Sequence, residues 1–448
     1  DLSLRSQTDN YSALAVLPPF SRLIIDEAHH LENVATNFFG QSFGQFQLID
    51  IIGDIRRQTE ADCDEVTADD IFAQLSGLRQ RLDNFTGLFP HQKGRFPLEG
   101  FLKEFEEQWQ EEAELLSTSM KRVAKVLEGF RSMGENWGVL SKRLEELDSK
   151  LWTILKAEEI GADNIAWYER GERSLQLYTT PIEVAHELRE YLFDRFGGVV
   201  LASATLSSGG SFDYICQRLG ISGDETFLKI DSPYDYKKKT LLYVPENGFP
   251  EPKDSLYMPA LCARVLQILK ASRGRALILC TSLKAMAELA DFLDPQLDHP
   301  LYVQGRGARS FLLKRFREEN DSILLAVASF WEGVDIVGDA LSCVIIDKLP
   351  FEVPSDPVLK ARVAKIERDG GNAFFGFQVP RAILTLRQGV GRLVRTATDR
   401  GTICIMDSRL YCKGYGKRFL KSLPPSPVTR DLRDIEKFYT RTVDEEQI

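Results

Sequence analysis

Short apolar runs and amphipathic helical patterns alternate along much of the chain. Apolar runs bounded by turn residues are typical of buried parallel strands. Helical spacing of apolar residues lies between several of them, over 255–273, 283–293 and 310–319. This alternation predicts an α/β fold with a mostly parallel sheet and helices on both faces. The apolar runs lie at 23–25, 199–202, 276–280, 323–328, 343–346 and 402–406.

A long stretch of helical pattern interrupts this alternation. Its apolar residues recur at spacings of three and four, with charged residues between them. A glycine-bearing link divides the pattern, which predicts two long helices in an antiparallel hairpin. The aromatic seam is expected to be the core of this hairpin, with base stacking as the alternative. The recurring residues are Phe101, Phe105, Trp109, Ala113, Leu116, Met120, Val123, Leu127 and Phe130, followed by Trp137, Leu140, Leu144, Leu147, Leu151 and Ile154.

The segments on either side of this hairpin carry weaker signals. Residues 90–97 have the turn composition of a surface loop. Two apolar runs at 165–168 and 175–178 flank a polar turn and predict a β-hairpin. Pro181 is expected to open a helix that continues to Phe193.

Composition limits the number of domains and the possible class of protein. A chain of 448 residues suits two or three domains, and 43% hydrophobic with 27% charged residues is ordinary for a soluble globular protein. The net charge of -10 argues against a protein coated by nucleic acid, although a local basic groove is compatible with it. No apolar run approaches the roughly 20 residues of a membrane span. The widely spaced cysteines fit reduced cytosolic thiols.

The first apolar run ends in two adjacent carboxylates, Asp26 and Glu27. The carboxyl edge of a parallel sheet is where ligand sites of α/β proteins lie. One acid can hold a hydrated magnesium ion while the other orients or deprotonates a water, as hydrolysis of a nucleoside triphosphate requires. The alternative is an ordinary strand followed by a helix whose first turn favours acids.

A second strand exit carries small hydroxyl residues, in the sequence Ser203-Ala204-Thr205. Such residues can hydrogen-bond to the carboxylates of a neighbouring strand and respond to the state of a phosphate. They can equally cap the N-terminus of a helix. The sequence leaves both interpretations open.

Two later segments also combine chemically useful groups. Residues 329–335, SFWEGVD, bring a hydroxyl, two aromatic rings, a glycine and two acids into one predicted loop. Gln388, Arg392 and Arg395 are predicted to share one face of a helix. A glutamine with two guanidinium groups suits a triphosphate and its attacking water. The alternative is a surface helix whose arginines serve solubility. These two arginines belong to a basic segment, 381–421, with ten Lys or Arg residues.

The phosphate-binding loop of most ATPases is missing from the sequence. No G-x-x-x-x-G-K-[ST] occurs in the 448 residues. The backbone N–H groups and the lysine of that loop normally hold the phosphates. The chain is therefore either not an ATPase or lacks the front part of one.

Five short motifs occur in the order and rough spacing of helicase motifs II to VI. They are LIIDEAHH, VVLASATL, ALILCTS, VASFWEGVDI and QGVGRLVR. Together they resemble the superfamily 2 DNA helicases of the DinG/XPD type, and more closely the bacterial DinG/YoaA-like members. The resemblance covers almost the whole chain.

The resemblance implies two RecA-like P-loop NTPase helicase lobes, the first incomplete, and an inserted all-helical Arch domain. In this family the Walker A loop precedes the DEAH strand, as do four cysteines that bind a 4Fe–4S cluster in many members. Neither feature is in this chain, so we expect a carboxy-terminal fragment that is inactive alone. The implied domains are 1–32 and 161–231 for the first lobe, 33–160 for the Arch and 232–448 for the second lobe.

The resemblance also implies roles for individual residues at the nucleotide. Asp26 resembles the magnesium ligand and Glu27 the carboxylate that activates water. His29 would couple this site to the Ser203–Thr205 motif, whose two hydroxyls would link hydrolysis to the grip on DNA. Groups expected to meet the γ-phosphate are Gln388, Arg392 and Arg395.

Further residues are implied to couple nucleotide to DNA. Glu332, Gly333 and Asp335 would connect the nucleotide with the second lobe. Thr281 and Ser282 resemble a contact to the DNA backbone at a helix N-terminus, where free N–H groups favour phosphate. Trp331 would stack on a base or pack in the core.

The implied cofactors are ATP and Mg²⁺, and the implied partners are single-stranded and forked DNA. We expect a bacterial cytoplasmic monomer, associated with the nucleoid, that translocates 5′ to 3′ in repair or replication. A replication or repair protein is a further expected partner, and a membrane is not. A different class of function is a non-catalytic DNA- or protein-binding module.

Overall fold

The structure is a computed structural model that describes residues 20–157, 163–222, 225–319, 321–327, 330 and 341–445. The chain divides into two compact units, each of which is described by itself. Unit 1 comprises Asp1–Ala202, Cys216–Ser222 and Val353–Gly371. Unit 2 comprises Ser203–Ile215, Gly223–Glu352 and Asn372–Ile448.

The described residues form three sheets, two of them parallel and one antiparallel. Their strands are β1 (Arg22–Ile25), β2 (Gln41–Gly44), β3 (Gly94–Pro97), β4 (Asn164–Arg170), β5 (Leu175–Pro181), β6 (Gly198–Leu201), β7 (Thr240–Tyr243), β8 (Ala276–Leu279), β9 (Leu301–Val303), β10 (Ile323–Ala326), β11 (Cys343–Ile346), β12 (Gly401–Ile405) and β13 (Val428–Thr429).

The α-helices range from single turns to long amphipathic rods. They are α1 (Leu31–Phe39), α2 (Gln45–Asp62), α3 (Glu65–Gly87), α4 (Leu98–Glu104), α5 (Glu106–Gly129), α6 (Glu135–Leu155), α7 (Ala185–Leu188), α8 (Asp213–Leu219), α9 (Tyr236–Lys239), α10 (Tyr257–Ser272), α11 (Leu283–Leu293), α12 (Arg309–Glu318), α13 (Pro357–Arg368), α14 (Val379–Val390), α15 (Arg409–Cys412), α16 (Gly416–Ser422) and α17 (Leu432–Glu445). None of these helices is long and apolar enough to cross a membrane.

Unit 2 is built on a seven-stranded sheet in the order β13-β7-β12-β11-β8-β10-β9. Every pairing in it is parallel. Alternate strand residues face opposite cores: Leu277 and Leu279 join the core with α12 and α14, whereas Ala276 and Ile278 join the core with α10 and α11. The sheet is therefore covered on both faces, which confirms the predicted α/β architecture.

In unit 1 the predicted helical hairpin is confirmed as α5 and α6. Ser141 Oγ donates to Ala124 O at 2.9 Å, and Trp152 Nε1 donates to Ser117 Oγ at 3.0 Å. The residue numbers rise along one helix as they fall along the other, so the two helices are antiparallel. The aromatic seam, including fully buried Trp137, lies in the core as expected.

A small antiparallel sheet, in the order β2-β5-β4-β3, accompanies these helices. The predicted hairpin of 165–168 and 175–178 is confirmed as β4 and β5. Strands β2 and β3 lie inside the stretch predicted to be helical, and β3 lies inside the predicted loop 90–97. They pair with β5 and β4, whose open edges offer unpaired backbone groups.

One boundary prediction near this sheet was wrong. Pro181 does not open a helix but ends β5, and α7 begins at Ala185. The local reason is pairing: Pro181 lies opposite Asn164, and the backbone N–H of Ile182 donates to Asp163 O at 2.8 Å. Proline is tolerated at such a strand end because it has no N–H to leave unsatisfied.

The remaining sheet of unit 1 pairs β1 with β6 in parallel, with Ile25 opposite Leu201. In the described residues it has two strands. Ile24 and Val200 are exposed on it.

The chain passes from one unit to the other at two further segments, α8 and α13. Helix α8 begins in unit 2 and ends in unit 1, and α13 lies in unit 1 although the residues before 353 and after 371 belong to unit 2. Asp356 caps α13 by accepting from Leu359 N–H at 2.9 Å, and Pro357 occupies the first helical position. The predicted second lobe, 232–448, thus contributes one helix to the other compact unit.

Candidate functional site

The exits of β1 and β6 are held together by backbone hydrogen bonds. Ala202 N–H donates to Ile25 O at 2.9 Å, and Ala28 N–H donates to Ala202 O at 3.0 Å. Parallel pairing therefore continues one step past the strands. It fixes the backbone on both sides of Asp26 and Glu27, at the carboxyl edge of the sheet.

Glu27 has a left-handed backbone conformation, with φ 49° and ψ 41°. A residue with a β-carbon loses roughly 1–2 kcal/mol in this conformation. The turn is stabilised by the Glu27 N–H, which donates to Asp26 Oδ1 at 2.8 Å. Strand β1 therefore stops at Ile25, and the turn leaves both acids exposed. Strained residues of this kind cluster at ligand sites.

His29 lies beside Glu27 and is neutral at pH 7. Its Nδ1 is 3.3 Å from Glu27 Oε2, and its side chain is 9% exposed against 60% for Glu27. Burial, followed by the neighbouring His30, lowers the pKa of His29 to about 4, although Glu27 and Asp26 act in the opposite direction. A neutral imidazole thus lies against the Glu27 carboxylate and does not neutralise its charge.

The donors at this turn fit a magnesium ion better than a transition metal. Mg²⁺ is usually bound by one or two carboxylates and keeps its other positions for water and substrate phosphate oxygens. Asp26 offers such an exposed carboxylate at the strand exit. Among the described residues, no group of three or more His, Cys, Asp or Glu side chains forms a closed metal cage.

The Ser203-Ala204-Thr205 segment forms a turn of its own in unit 2. Ser203 Oγ accepts from Thr205 N–H at 3.1 Å and lies 3.4 Å from Thr205 Oγ1. Thr205 is buried. The next described helix, α8, begins at Asp213, so these hydroxyls do not cap a helix. Of the two interpretations left open by the sequence, the capping one is wrong.

The arginines of the QGVGRLVR motif do not lie on a helix, contrary to prediction. Helix α14 ends at Val390, so Gln388 lies in its last turn while Arg392 and Arg395 follow it. The chain leaves the helical path at Gly391, and the backbone N–H of Arg395 donates to Asp399 Oδ2 at 2.7 Å instead of to a helical carbonyl. Arg392 and Arg395 are both half-buried.

Arg387, which the sequence analysis noted only as part of the basic segment, binds the Ser203–Thr205 region. Its Nη1 donates to Ser207 O at 2.7 Å, and its Nη2 donates to Ala204 O at 3.1 Å. Burial lowers the pKa of Arg387, yet guanidinium groups stay charged in proteins. Helix α14 is therefore tied to this turn within unit 2. The sequence signal that could have identified Arg387 is its position directly before Gln388.

Thr281 and Ser282 are committed to contacts within unit 2. Thr281 N–H and Oγ1 each lie 3.0 Å from a carboxylate oxygen of Asp347, and Ser282 Oγ accepts from Ala285 N–H at 3.2 Å as the cap of α11. Burial raises the pKa of Asp347 to about 6 despite the hydrogen bonds that it accepts. The predicted helix start is confirmed, and its hydroxyls hold the loop in place.

Four of the predicted coupling residues lie outside the described residues. They are Trp331, Glu332, Gly333 and Asp335.

Comparison with known proteins adds independent findings. The sequence profile described as a helicase C-terminal domain matches residues 265–426. The chain is 36% identical over 428 residues to the ATP-dependent DNA helicase YoaA of Haemophilus influenzae, covering 94% of this chain and 65% of that protein. It is 31% identical over 444 residues to the ATP-dependent DNA helicase DinG of Photobacterium profundum, covering 90% of this chain and 64% of that protein. The chain thus spans just under two thirds of these relatives.

A solved structure agrees at the level of the fold. An apo XPD structure superposes with a TM-score of 0.59 at 15% identity and covers 95% of this chain and 80% of that one. The fold is thus that of RecA-like helicase lobes, and the similarity to YoaA and DinG supports a superfamily 2 helicase of the DinG/XPD type. Within this type, its sequence similarity is to the bacterial YoaA and DinG proteins.

Proposed function

We propose that the protein is an ATP-dependent motor that translocates 5′ to 3′ on single-stranded DNA and unwinds forked duplexes in repair or replication. Relatives of the chain are named ATP-dependent DNA helicases, which supports this class of activity. The activity is proposed for the protein at its full encoded length.

The observation that carries the proposal is the turn at Asp26 and Glu27. A strained, exposed pair of carboxylates at the end of a parallel strand, with a neutral imidazole beside one of them, has little structural purpose. It suits a site where one acid faces a cation and the other faces water.

In the proposed reaction Glu27 orients the attacking water and accepts its proton. Neutral His29 holds the Glu27 carboxylate without removing its negative charge. Asp26 would hold Mg²⁺, which, when bound, offsets negative charge on the phosphate oxygens. Glu27 and Asp26 thus have separate tasks: both follow the end of the same strand, but Glu27 faces the water and Asp26 faces the cation.

Residues of the QGVGRLVR motif are proposed to act in the same reaction. Arg392 and Arg395 stabilise charge on the γ-phosphate, and Gln388 orients the water or the phosphate. The α14 contact of Arg387 with Ser207 and Ala204 supports a mechanical link to the Ser203–Thr205 turn.

DNA is proposed to bind through unit 2 and the helical insertion. The proposed contact with the DNA backbone is the start of α11, which Thr281 and Ser282 hold in place, since a helix N-terminus favours phosphate. We place the protein in the bacterial cytoplasm at the nucleoid, as a monomer that meets a replication or repair partner.

The test uses the full-length protein with duplexes that carry a 5′ or a 3′ single-stranded tail. We expect unwinding of the 5′-tailed duplex and ATP hydrolysis that single-stranded DNA stimulates. The variant Glu27→Gln keeps the size of the side chain and should bind ATP and DNA but lose turnover. Retained turnover in Glu27→Gln would refute the assigned role, and strand binding without any hydrolysis in the unsubstituted protein would favour a binding module.

A further inference from the structure

A buried cluster of charges lies on α1, the helix that follows the Asp26-Glu27 turn in unit 1. Glu32 Oε1 accepts from Arg218 Nε at 3.0 Å and from Arg218 Nη2 at 2.8 Å. Arg362 Nη1 lies 3.3 Å from the same oxygen. All three side chains are at most 6% exposed. One carboxylate is therefore shared by two buried guanidinium groups.

Arg362 also contacts two other points of unit 1. Its Nη2 donates to Thr36 Oγ1 at 2.9 Å, and its Nε donates to Ile182 O at 3.0 Å. Glu32 and Thr36 are one turn apart on α1. A single guanidinium group thus contacts two successive turns of α1, the helix that begins four residues after Glu27. These contacts fix the rotation of α1 about its axis.

Both arginines reach Glu32 from segments that enter unit 1 from unit 2. Arg218 lies on α8, which begins in unit 2, and Arg362 lies on α13, which unit 2 flanks on both sides in sequence. After α13 the chain returns to unit 2 at Asn372 and reaches α14, with Gln388, a few residues later. The cluster therefore fixes α1, the helix that follows the proposed catalytic acids, to two segments that are distant from it in sequence.

Stability alone is a weak reason for such a cluster. Replacing a buried ion pair by apolar side chains of similar size is often neutral or stabilising, because burial removes the charges from water. A planar guanidinium group with three partners instead donates in fixed directions, so it orients those partners, which an apolar contact does not do.

We propose that Arg362 is a positioning residue that holds the Asp26-Glu27 turn through α1. Its contacts with Glu32 and Thr36 fix the rotation of the helix that follows the turn. This inference rests on the proposed hydrolysis at Glu27.

The test compares variants of the full-length protein in ATP hydrolysis stimulated by single-stranded DNA. Arg362→Met removes the charge and keeps an apolar stem, and Arg362→Lys keeps the charge but loses the three-way contact. We expect Arg362→Met to lower kcat at least tenfold while KM for ATP changes less than twofold, and Arg362→Lys to lower kcat at least threefold. Thermal unfolding of each variant identifies the folded fraction.

Lys365→Met is the matched control, because Lys365 lies on the same helix as Arg362 but pairs with Asp163 at 2.9 Å and Glu183 at 3.6 Å instead of with Glu32. Its kcat should stay within twofold. Folded Arg362 variants with unchanged kcat, or equal losses in Arg362→Met and Lys365→Met, overturn the inference. If Arg362→Met does not fold, Arg362→Lys decides alone by the same criterion.

Glu27→Gln, assayed in parallel, separates the two proposals. If Glu27→Gln is inactive while the Arg362 variants are unaffected, only the positioning role of Arg362 is overturned. Turnover by Glu27→Gln, or no hydrolysis by the unsubstituted protein, overturns the proposed function and this inference with it.

Discussion

Replacing Glu32 by glutamine should destabilise unit 1 strongly. The substitution keeps an oxygen acceptor but removes the negative charge that Arg218 and Arg362 share at 2.8 and 3.3 Å. The remaining acid, Glu183, is half-exposed and lies 3.7 Å from Arg218. Leaving buried charges uncompensated costs about 3–5 kcal/mol. Because glutamine retains hydrogen bonding, we expect a loss of about 3 kcal/mol in the free energy of unfolding.

Urea unfolding followed by tryptophan fluorescence measures this loss. Four of the five tryptophans lie in unit 1, so their emission reports mainly on that unit. With an m-value of about 2–3 kcal/mol/M, the unfolding midpoint should fall by about 1–1.5 M. The four residues are Trp109, Trp137, Trp152 and Trp167.

Glu183→Gln is the matched control for this prediction. Its side chain belongs to the same cluster but is 43% exposed, so its loss should cost less than about 1 kcal/mol. Adding Arg362→Met to Glu32→Gln removes one of the uncompensated charges, and the double variant should lose less than the sum of the two single losses. A midpoint for Glu32→Gln no lower than that for Glu183→Gln would refute the reasoning.

Two further predictions concern unit 2. Because its folded pKa of about 6 lies above that of an ordinary aspartate, Asp347 favours folding below about pH 4, and this contribution is lost as pH rises through 6. Asp347→Asn should therefore flatten the decline in unfolding free energy between pH 4 and 7; an unchanged pH profile would contradict this. Gly401→Ala would place a β-carbon 2.1 Å from Ser342 O and should cost about 3 kcal/mol in urea unfolding, whereas Gly414→Ala, with open space around it, should not.

The sequence predicted elements well where local pattern and tertiary packing agree. Helix α11 was predicted at its observed bounds, since Ser282 provides a cap and the apolar spacing matches one buried face. Short strands such as β2 and β3 have little pattern of their own, because they form by pairing with distant edges. Their position could not be read from local spacing.

The candidate site shows the same division. Asp26 and Glu27 were identified because they follow the end of a strand, whereas the left-handed turn at Glu27 and the burial of His29 have no pattern in the local sequence. The placement of Arg392 and Arg395 on a helix was wrong because the helix ends before Gly391 and Asp399 accepts from the backbone N–H of Arg395. Interactions across large sequence separations, such as that of Glu32 with Arg362, leave no local signal.

The central claim is the proposal that Glu27 and Arg392 act in the same ATP hydrolysis reaction. Steady-state ATP hydrolysis by Glu27→Gln, Arg392→Ala and the double variant of the full-length protein tests it most directly. Arg381→Ala serves as a control, since Arg381 precedes the motif on α14 and pairs with Glu352. We predict that each single variant loses at least 100-fold in kcat and that the double variant loses little more than either, because groups that act as a unit are not additive. Hydrolysis within threefold of the unsubstituted protein in either single variant would contradict the claim.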